Sequence, residues 1–328
     1  MGDRIRVIQY GLGPIGSAVA RHVVERPELE LVGAVDIDPQ KKGRDAGVAI
    51  GLGRALGLPV AERLAGVTAG ADVVLHTTSS YVDLFKPQIL EILAAGYDIV
   101  STAEELSFPW LAHTKDAEEI DAAARHAGKT VLGTGVNPGF LMDSLPLGLT
   151  AICQRVDHIA VTRAQNASLR RGPFQAKIGS GMTVAAFRAK MAQGRMGHVG
   201  LRESMDMLFH TLGKELVRYE DGVEPVVAEA RIKTDLFDVQ PGQVRGLKQI
   251  ARGYHREGEF VTLTFVAALE WPENEDTIRI SGKPDLEVKL RGTNGDIATV
   301  AIAVNAIRRV VEAAPGLVTM RDLPIVTR

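Results

Sequence analysis

The sequence predicts an α/β protein in two parts. A doubly wound parallel sheet comes first, and an α+β domain with a mainly antiparallel sheet follows. Three observations carry this reading. Apolar strand-like runs alternate with helical patterns over residues 1–140, and a glycine-rich turn joins the first run to the first helix. From residue 225 to 290 four apolar runs succeed one another through short polar connections, as hairpins do.

Ile5, Val7 and Ile8 mark the first strand, and Ile15, Val19 and Val23 mark one face of the first helix. Between them lies Gly11-Leu12-Gly13-Pro14-Ile15-Gly16. Gly11 permits the tight turn, Gly13 lets the backbone approach a pyrophosphate, and Gly16 lets the helix pack closely on the strand. Pro14 suits the start of a helix, where its missing N–H removes no bond. The helix N-terminus then offers N–H groups and a positive dipole end to a dianion. A second strand, residues 29–35, ends in Asp36, twenty residues after Gly16, where a carboxylate can accept from both ribose hydroxyls. This is the pattern of a dinucleotide-binding Rossmann domain. Asp36 favours NAD because it repels a 2′-phosphate. Lys41, Lys42 and Arg44 are near enough in sequence to offset that repulsion, so NADP stays open; a solvated polar loop is the other reading of these cations.

Residues 71–78 read as a buried strand that runs into Thr77, Thr78, Ser79 and Ser80. These hydroxyls either contact the cofactor at the carboxyl end of the sheet or cap the helix carrying residues 84–95. Gly96 ends that helix. A strand at 97–102, a helix at 116–127 and a strand at 129–132 complete the alternation and lead to Gly135-Val136-Asn137-Pro138-Gly139-Phe140. The second domain, residues 141–294, opens with a helix at 142–154 and a strand at 156–162. A polar loop and helices at 184–191 and 201–212 come next. Strands are expected at 225–233, 244–254, 259–269 and 276–290, the last broken near Gly282. A helix over 296–311, in a segment of about residues 295–328, returns to pack on the first domain.

Composition sets limits on function. The 45% apolar fraction suffices for a buried core, and a net charge of −2 gives no electrostatic footprint for nucleic acid or an anionic membrane. No apolar run reaches the length of a membrane span, and no signal-peptide pattern opens the chain. The one cysteine, Cys153, excludes an internal disulfide and fits a reducing cytoplasm. The eight histidines show no metal-ligand spacing, so no metal is expected. No nucleophile elbow or Walker motif is present.

What remains is Glu104-Glu105, at the end of the strand over 97–102. Adjacent carboxylates on an extended chain point to opposite sides, so one can enter the site while the other bonds locally. A carboxylate partly desolvated beside a nicotinamide can exchange protons near neutrality and stabilise an iminium cation. Acidic residues in the first turn of a helix are the competing structural explanation.

Several stretches together resemble the family of 2,4-diaminopentanoate dehydrogenase and the amine dehydrogenases, relatives of dihydrodipicolinate reductase. They are the glycine-rich turn, Ser101-Thr102-Ala103-Glu104-Glu105-Leu106-Ser107-Phe108-Pro109-Trp110, residues 135–140, and Arg170-Arg171-Gly172-Pro173-Phe174-Gln175-Ala176-Lys177-Ile178-Gly179. His198-Val199-Gly200-Leu201-Arg202-Glu203-Ser204, Val304-Asn305-Ala306-Ile307, Pro315-Gly316-Leu317 and Asp322-Leu323-Pro324 extend the match over nearly the whole chain. The resemblance implies NAD- or NADP-dependent oxidative deamination of an amine to a ketone and ammonia, reversible as reductive amination. It gives the acid/base role to Glu104, with Glu105 as the fallback. It places Asn137, Gly139 and Phe140 under the nicotinamide and brings Asn305 to the same site. It assigns the substrate pocket to Arg163, Gln165, Asn166, Phe174 and Gln175. Arg170 and Arg171 are either part of that arrangement or a solvent-facing or interface pair.

Ala103 stands where many relatives have a cysteine, and the His-His-x-x-Lys run of dihydrodipicolinate reductase proper is absent, with His158 alone in its neighbourhood. Two further readings are a cyclic-imine or dihydrodipicolinate-type reductase and a dinucleotide sensor without turnover. A sensor needs no acid/base, so the glutamate pair and the polar 163–175 segment weigh against it. Alternating apolar residues on two strands (Val244, Leu247, Ile250; Val261, Leu263, Phe265) predict a homodimer through the second sheet.

Overall fold

A computed structural model describes residues 4–170, 172–193 and 196–328. The first compact unit takes residues up to Phe140 together with Asn294–Arg328, and the second takes Leu141–Thr293.

The first unit begins β1 (Ile5–Tyr10), α1 (Pro14–Glu25), β2 (Leu29–Val35), α2 (Ala46–Ala49) and β3 (Val60–Ala61). It continues β4 (Val73–His76), α3 (Val82–Ala94), β5 (Asp98–Ser101), α4 (Thr114–Ala127) and β6 (Thr130–Gly133). The second unit runs α5 (Ser144–Thr150), β7 (Arg155–Asn166), α6 (Gly172–Lys177), α7 (Val184–Met191) and α8 (Leu201–Thr211). It then runs β8 (Arg218–Val227), β9 (Ile232–Lys233), β10 (Asp238–Val239), β11 (Val244–His255), β12 (Gly258–Ala268), β13 (Glu275–Lys283) and β14 (Leu286–Arg291). The chain returns to the first unit with α9 (Gly295–Val311) and β15 (Gly316–Val318).

The first sheet has seven strands in the order β15-β6-β5-β4-β1-β2-β3, and every pair is parallel. β4 and β5 are buried along their whole length, as strands covered on both faces by helices must be. The returning α9 lays Val300, Val304, Ile307 and Val310 against Val19 and Val23 of α1, in one apolar cluster.

The second sheet has six strands in the order β14-β13-β7-β12-β11-β8. Only β7 and β12 run parallel; the other pairs are antiparallel. One face packs Val161, Leu247, Leu263 and Ile278 against Phe187 of α7 and Met205, Leu208 and Phe209 of α8.

Three sequence expectations change here. Val244, Leu247, Val261, Leu263 and Phe265 lie in this intrachain core, so they do not form the open face assigned to a dimer. Of the residues named for that face, Ile250 alone has the opposite alternation and stays half-buried. The strand expected at 225–233 begins at Arg218 and stops at Val227, while Ile232–Lys233 pairs with β10 in a separate ribbon. Its first half, Arg218-Tyr219-Glu220-Asp221-Gly222, has no apolar alternation; pairing with β11 makes it a strand. Pro225, which lacks a backbone donor, is tolerated because β8 is an edge. Finally, β7 extends to Asn166, so Arg163, Gln165 and Asn166 stand on a strand rather than in a loop.

Candidate active site

β1 and β4 are neighbours, and the strand order runs from them in opposite directions, to β2 on one side and β5 on the other. Their carboxyl ends form the switch point at which such sheets bind ligands. Gly11 follows β1 with φ +90°, and a Cβ on it would come 2.7 Å from the Thr77 carbonyl oxygen. A Cβ on Gly16 would overlap the Gly11 carbonyl oxygen, whereas one on Gly13 would meet nothing within 4 Å. The turn is held from behind. The Thr77 hydroxyl donates to Gly11 O at 2.9 Å, and Gln9 Nε2 donates to both Gly11 O (2.9 Å) and Thr77 Oγ1 (2.8 Å). α1 starts at Pro14 with no side chain capping it. The open approach at Gly13 and the uncapped helix end fit a dinucleotide pyrophosphate.

Asp36 follows β2 and reaches back to this turn. Its Oδ2 accepts from the Leu12 N–H at 2.5 Å and its Oδ1 from the Asp38 N–H at 2.8 Å. Lys41 Nζ donates to Leu12 O at 2.9 Å and lies 3.7 Å from Asp36 and 3.4 Å from Asp38. Lys42 instead pairs with Glu62, and Arg44 donates to Gln40 O. Of the three cations, Lys41 is therefore the one beside Asp36. Asp36→Ala should raise the NADP/NAD ratio of kcat/KM about tenfold, the equivalent of ~1.4 kcal/mol, because the repulsive carboxylate goes and Lys41 stays. Steady-state kinetics with both cofactors check this; an unchanged ratio would place the ribose elsewhere.

The hydroxyl run after β4 does not cap α3. Thr78 donates to Gln88 Oε1 at 2.6 Å, and Ser79 Oγ accepts from the Tyr81 N–H at 3.2 Å. Ser80 offers its carbonyl to the Glu105 N–H at 3.2 Å. The cap comes from Glu105, whose Oε2 accepts from the Val82 N–H at 2.6 Å and lies 3.6 Å from His113 Nε2. Glu104 and Glu105 do not alternate along an extended strand as expected. They stand in a single 3₁₀ turn, Glu104–Leu106, because Ala103 already leaves β5 and the Ser107 N–H and hydroxyl both bond Glu104 O. The helix-start role belongs to Glu105, and Glu104 stands half-buried beside it in the same turn.

Residues 134–140 follow β6, with Asn137 buried and the Asn137–Pro138 peptide cis. α9 meets this loop through Thr299, whose Oγ1 accepts from the Val136 N–H at 3.5 Å. Asn305 does not reach it. Its Oδ1 accepts from Arg26 Nη1 at 2.9 Å, at the end of α1 remote from the glycine turn. The six residues from Thr299 to Asn305 carry the helix about 9 Å further on. Thr299 was missed because a threonine in a helical pattern carries no signal until its neighbours are known.

In the second unit, Arg163 is 1% exposed and its Nε is 3.7 Å from Asp276 Oδ1. Its Nη1 and Nη2 have no hydrogen-bond acceptor among the described residues. Burial pulls this guanidinium below its ordinary range, with Asp276 opposing the shift and Arg170 adding to it. Burial likewise raises the Asp276 carboxyl, against the attraction of Arg163. At that distance the Asp276 carboxylate makes no hydrogen bond to the buried Arg163 guanidinium. Gln165 Oε1 accepts from Arg170 Nη1 at 2.8 Å, and Arg170 lies over the Phe174 ring at 4.3 Å. Gln175 is buried, and its Nε2 donates to Arg170 O at 2.7 Å.

Arg163, Gln165, Arg170, Phe174 and Gln175 thus come together. Asn166 does not join them: its Oδ1 accepts from the Ser168 N–H at 3.0 Å and shapes the turn after β7. Arg171 lies outside the described residues. Two further residues come from the fold: Phe265, paired in register with Arg163, and His198, stacked on Phe265 at 4.7 Å. Asp276 had no distinguishing spacing in the sequence, Phe265 was read only as part of an apolar strand face, and His198 stood in a noted stretch without an assigned role.

The family model for the 2,4-diaminopentanoate dehydrogenase C-terminal domain matches residues 140–328, and that for the dihydrodipicolinate reductase N-terminus matches 5–100. The 2,4-diaminopentanoate dehydrogenase of Acetoanaerobium sticklandii is 30% identical, over 98% of this chain and 94% of its own. The chain belongs to the 2,4-diaminopentanoate dehydrogenase family. An amine dehydrogenase of Streptomyces virginiae is 24% identical, over 98% of this chain and 96% of its own. The solved amine dehydrogenase of Mycobacterium smegmatis superposes with a TM-score of 0.87 at 26% identity, over 99% of this chain and 97% of that one. As a member of this family, the protein is an NAD(P)-dependent oxidoreductase acting on an amine.

Proposed function

We propose that this enzyme interconverts a carboxylate-bearing amine, of the kind represented by 2,4-diaminopentanoate, with the corresponding ketone and ammonia, and that Glu104 is its acid/base. The observation that carries the substrate class is the Arg163 guanidinium, buried with Nη1 and Nη2 lacking an acceptor among the described residues. A carboxylate would supply both acceptors and the missing charge. In the amination direction, Glu104 takes the proton that ammonia loses on adding to the ketone. It passes that proton to the former carbonyl oxygen to complete the carbinolamine, takes a second proton from solvent for the hydroxyl that leaves as water, and as a carboxylate stabilises the iminium. Bound NAD(P)H supplies the hydride to the iminium carbon. The glycine-rich turn and Asp36 hold the dinucleotide, and residues 137–140 support the nicotinamide end.

The test is cofactor reduction with 2,4-diaminopentanoate against pentan-2-amine, and cofactor oxidation with ketone plus ammonia against ketone alone. Dependence on ammonia is expected, with preference for the carboxylated amine. Ketone reduction without ammonia would remove the amination reading, and equal use of both amines would remove the Arg163 role. No turnover with either would favour a sensor.

We further propose a cytoplasmic homodimer. Among the described residues no helix is long and apolar enough to cross a membrane. The second sheet keeps Ala160, Thr162, Thr262, Thr264 and Ile250 half-buried on the face opposite its core. Light scattering should give twice the 35.2 kDa chain mass, and Ile250→Asp should halve that value in folded protein; a wild-type mass of one chain would refute the dimer.

A further inference from the structure

We propose that His76 is a positioning residue, linking the turn that carries Glu104 to the Thr78 loop through Ser101 and Gln88. The inference rests on the reading of Glu104 as acid/base. His76 and Ser101 are the last residues of β4 and β5, pair in register, and are both fully buried. An imidazole in the middle of a parallel sheet is costly unless every polar atom is matched. Here each is, and the partners fix the direction of every bond. The Ala103 N–H donates to Ser101 Oγ at 3.1 Å, and Ser101 Oγ lies 2.9 Å from His76 Nδ1. Gln88 Oε1 only accepts, so His76 Nε2 carries the ring proton and donates to it at 2.7 Å, and Nδ1 accepts from the Ser101 hydroxyl. Gln88 Oε1 also accepts from the Thr78 hydroxyl, which lies 2.9 Å from Nε2. Burial pushes the imidazole down to about 4, so this neutral tautomer persists across the working pH range.

Ala103 is the residue that starts the Glu104 turn. Fixing its N–H fixes the rotation of that turn, and Glu105 holds the turn at a second point through Val82. A carboxylate mislocated by an ångström loses much of its effect on proton transfer.

The experiment compares His76→Asn with His76→Gln. The Asn amide oxygen takes the place of Nδ1 and keeps the bond to Ser101; the Gln side chain substitutes for Nε2 and loses it. Both leave a similar cavity. Turnover is followed with ammonia and whichever of 4-oxopentanoate and pentan-2-one the wild type uses faster. His76→Gln is expected to lose about tenfold in kcat, the size of a ~1.4 kcal/mol displacement, with KM for ketone and cofactor within about twofold. His76→Asn should keep most of the wild-type kcat, and Ser101→Ala, a smaller change to the fold, should reproduce the Gln loss. In a Glu104→Gln background, His76→Gln should add no further loss, because the group it positions is gone. Equal losses in Asn and Gln, or a loss that persists without Glu104, would overturn the proposal and mark His76 as structural. Full turnover by Glu104→Gln would overturn the acid/base reading and this inference with it. Loss in Glu104→Gln with none in His76→Gln or Ser101→Ala would overturn this inference alone.

Discussion

Glu104→Gln is expected to bind NAD and NADP as the wild type does and to lose reductive amination by ~10²-fold or more, the usual share of general acid–base catalysis. The amide preserves size and hydrogen bonding but can neither take the ammonia proton nor offset an iminium charge. Glu105→Gln is the control. Its carboxylate accepts from the Val82 N–H at the start of α3, so its loss should lower stability by about 1 kcal/mol and leave most of the turnover. Cofactor affinity by fluorescence titration, single-turnover amination and thermal melts separate the two. Full activity in Glu104→Gln with loss in Glu105→Gln would reverse the assignment; activity in both would remove the acid/base role from this turn.

Arg163→Met should reduce kcat/KM for 2,4-diaminopentanoate by ~10²–10³-fold, equivalent to ~3–4 kcal/mol, while pentan-2-amine is little affected. The side chains are similar in length, and the change removes a buried guanidinium whose two terminal nitrogens have no acceptor among the described residues. It also leaves Asp276 without its cation. Arg163→Met combined with Asp276→Asn removes that second penalty and should show the same substrate discrimination with better stability. Competition kinetics between the two amines is the measurement; parallel losses on both would mean that Arg163 supports the fold and does not read the carboxylate.

The sequence by itself determined the dinucleotide half. Its evidence is local: a strand, a turn in which Gly11 and Gly16 leave no room for a Cβ, a helix start and an aspartate at a fixed distance. Spacing alone encodes such a unit, because neighbours in sequence are neighbours in space. The same holds for the alternation that gives the parallel sheet and for the return of α9. Tertiary structure alone decided the rest. Which glutamate of the pair holds the start of α3 depends on Val82, some twenty residues upstream. Thr299, and not Asn305, meets the 134–140 loop because of where α9 crosses α1. The open face of the second sheet was read with the wrong residues, since alternation shows that a strand has an apolar face without showing what covers it. Here α7 and α8 cover it. Arg163 shows the physical reason most directly. Its identity is in the sequence, but its burial, the 3.7 Å carboxylate of Asp276 and the lack of an acceptor for its terminal nitrogens among the described residues arise only when β7 and β13 pair.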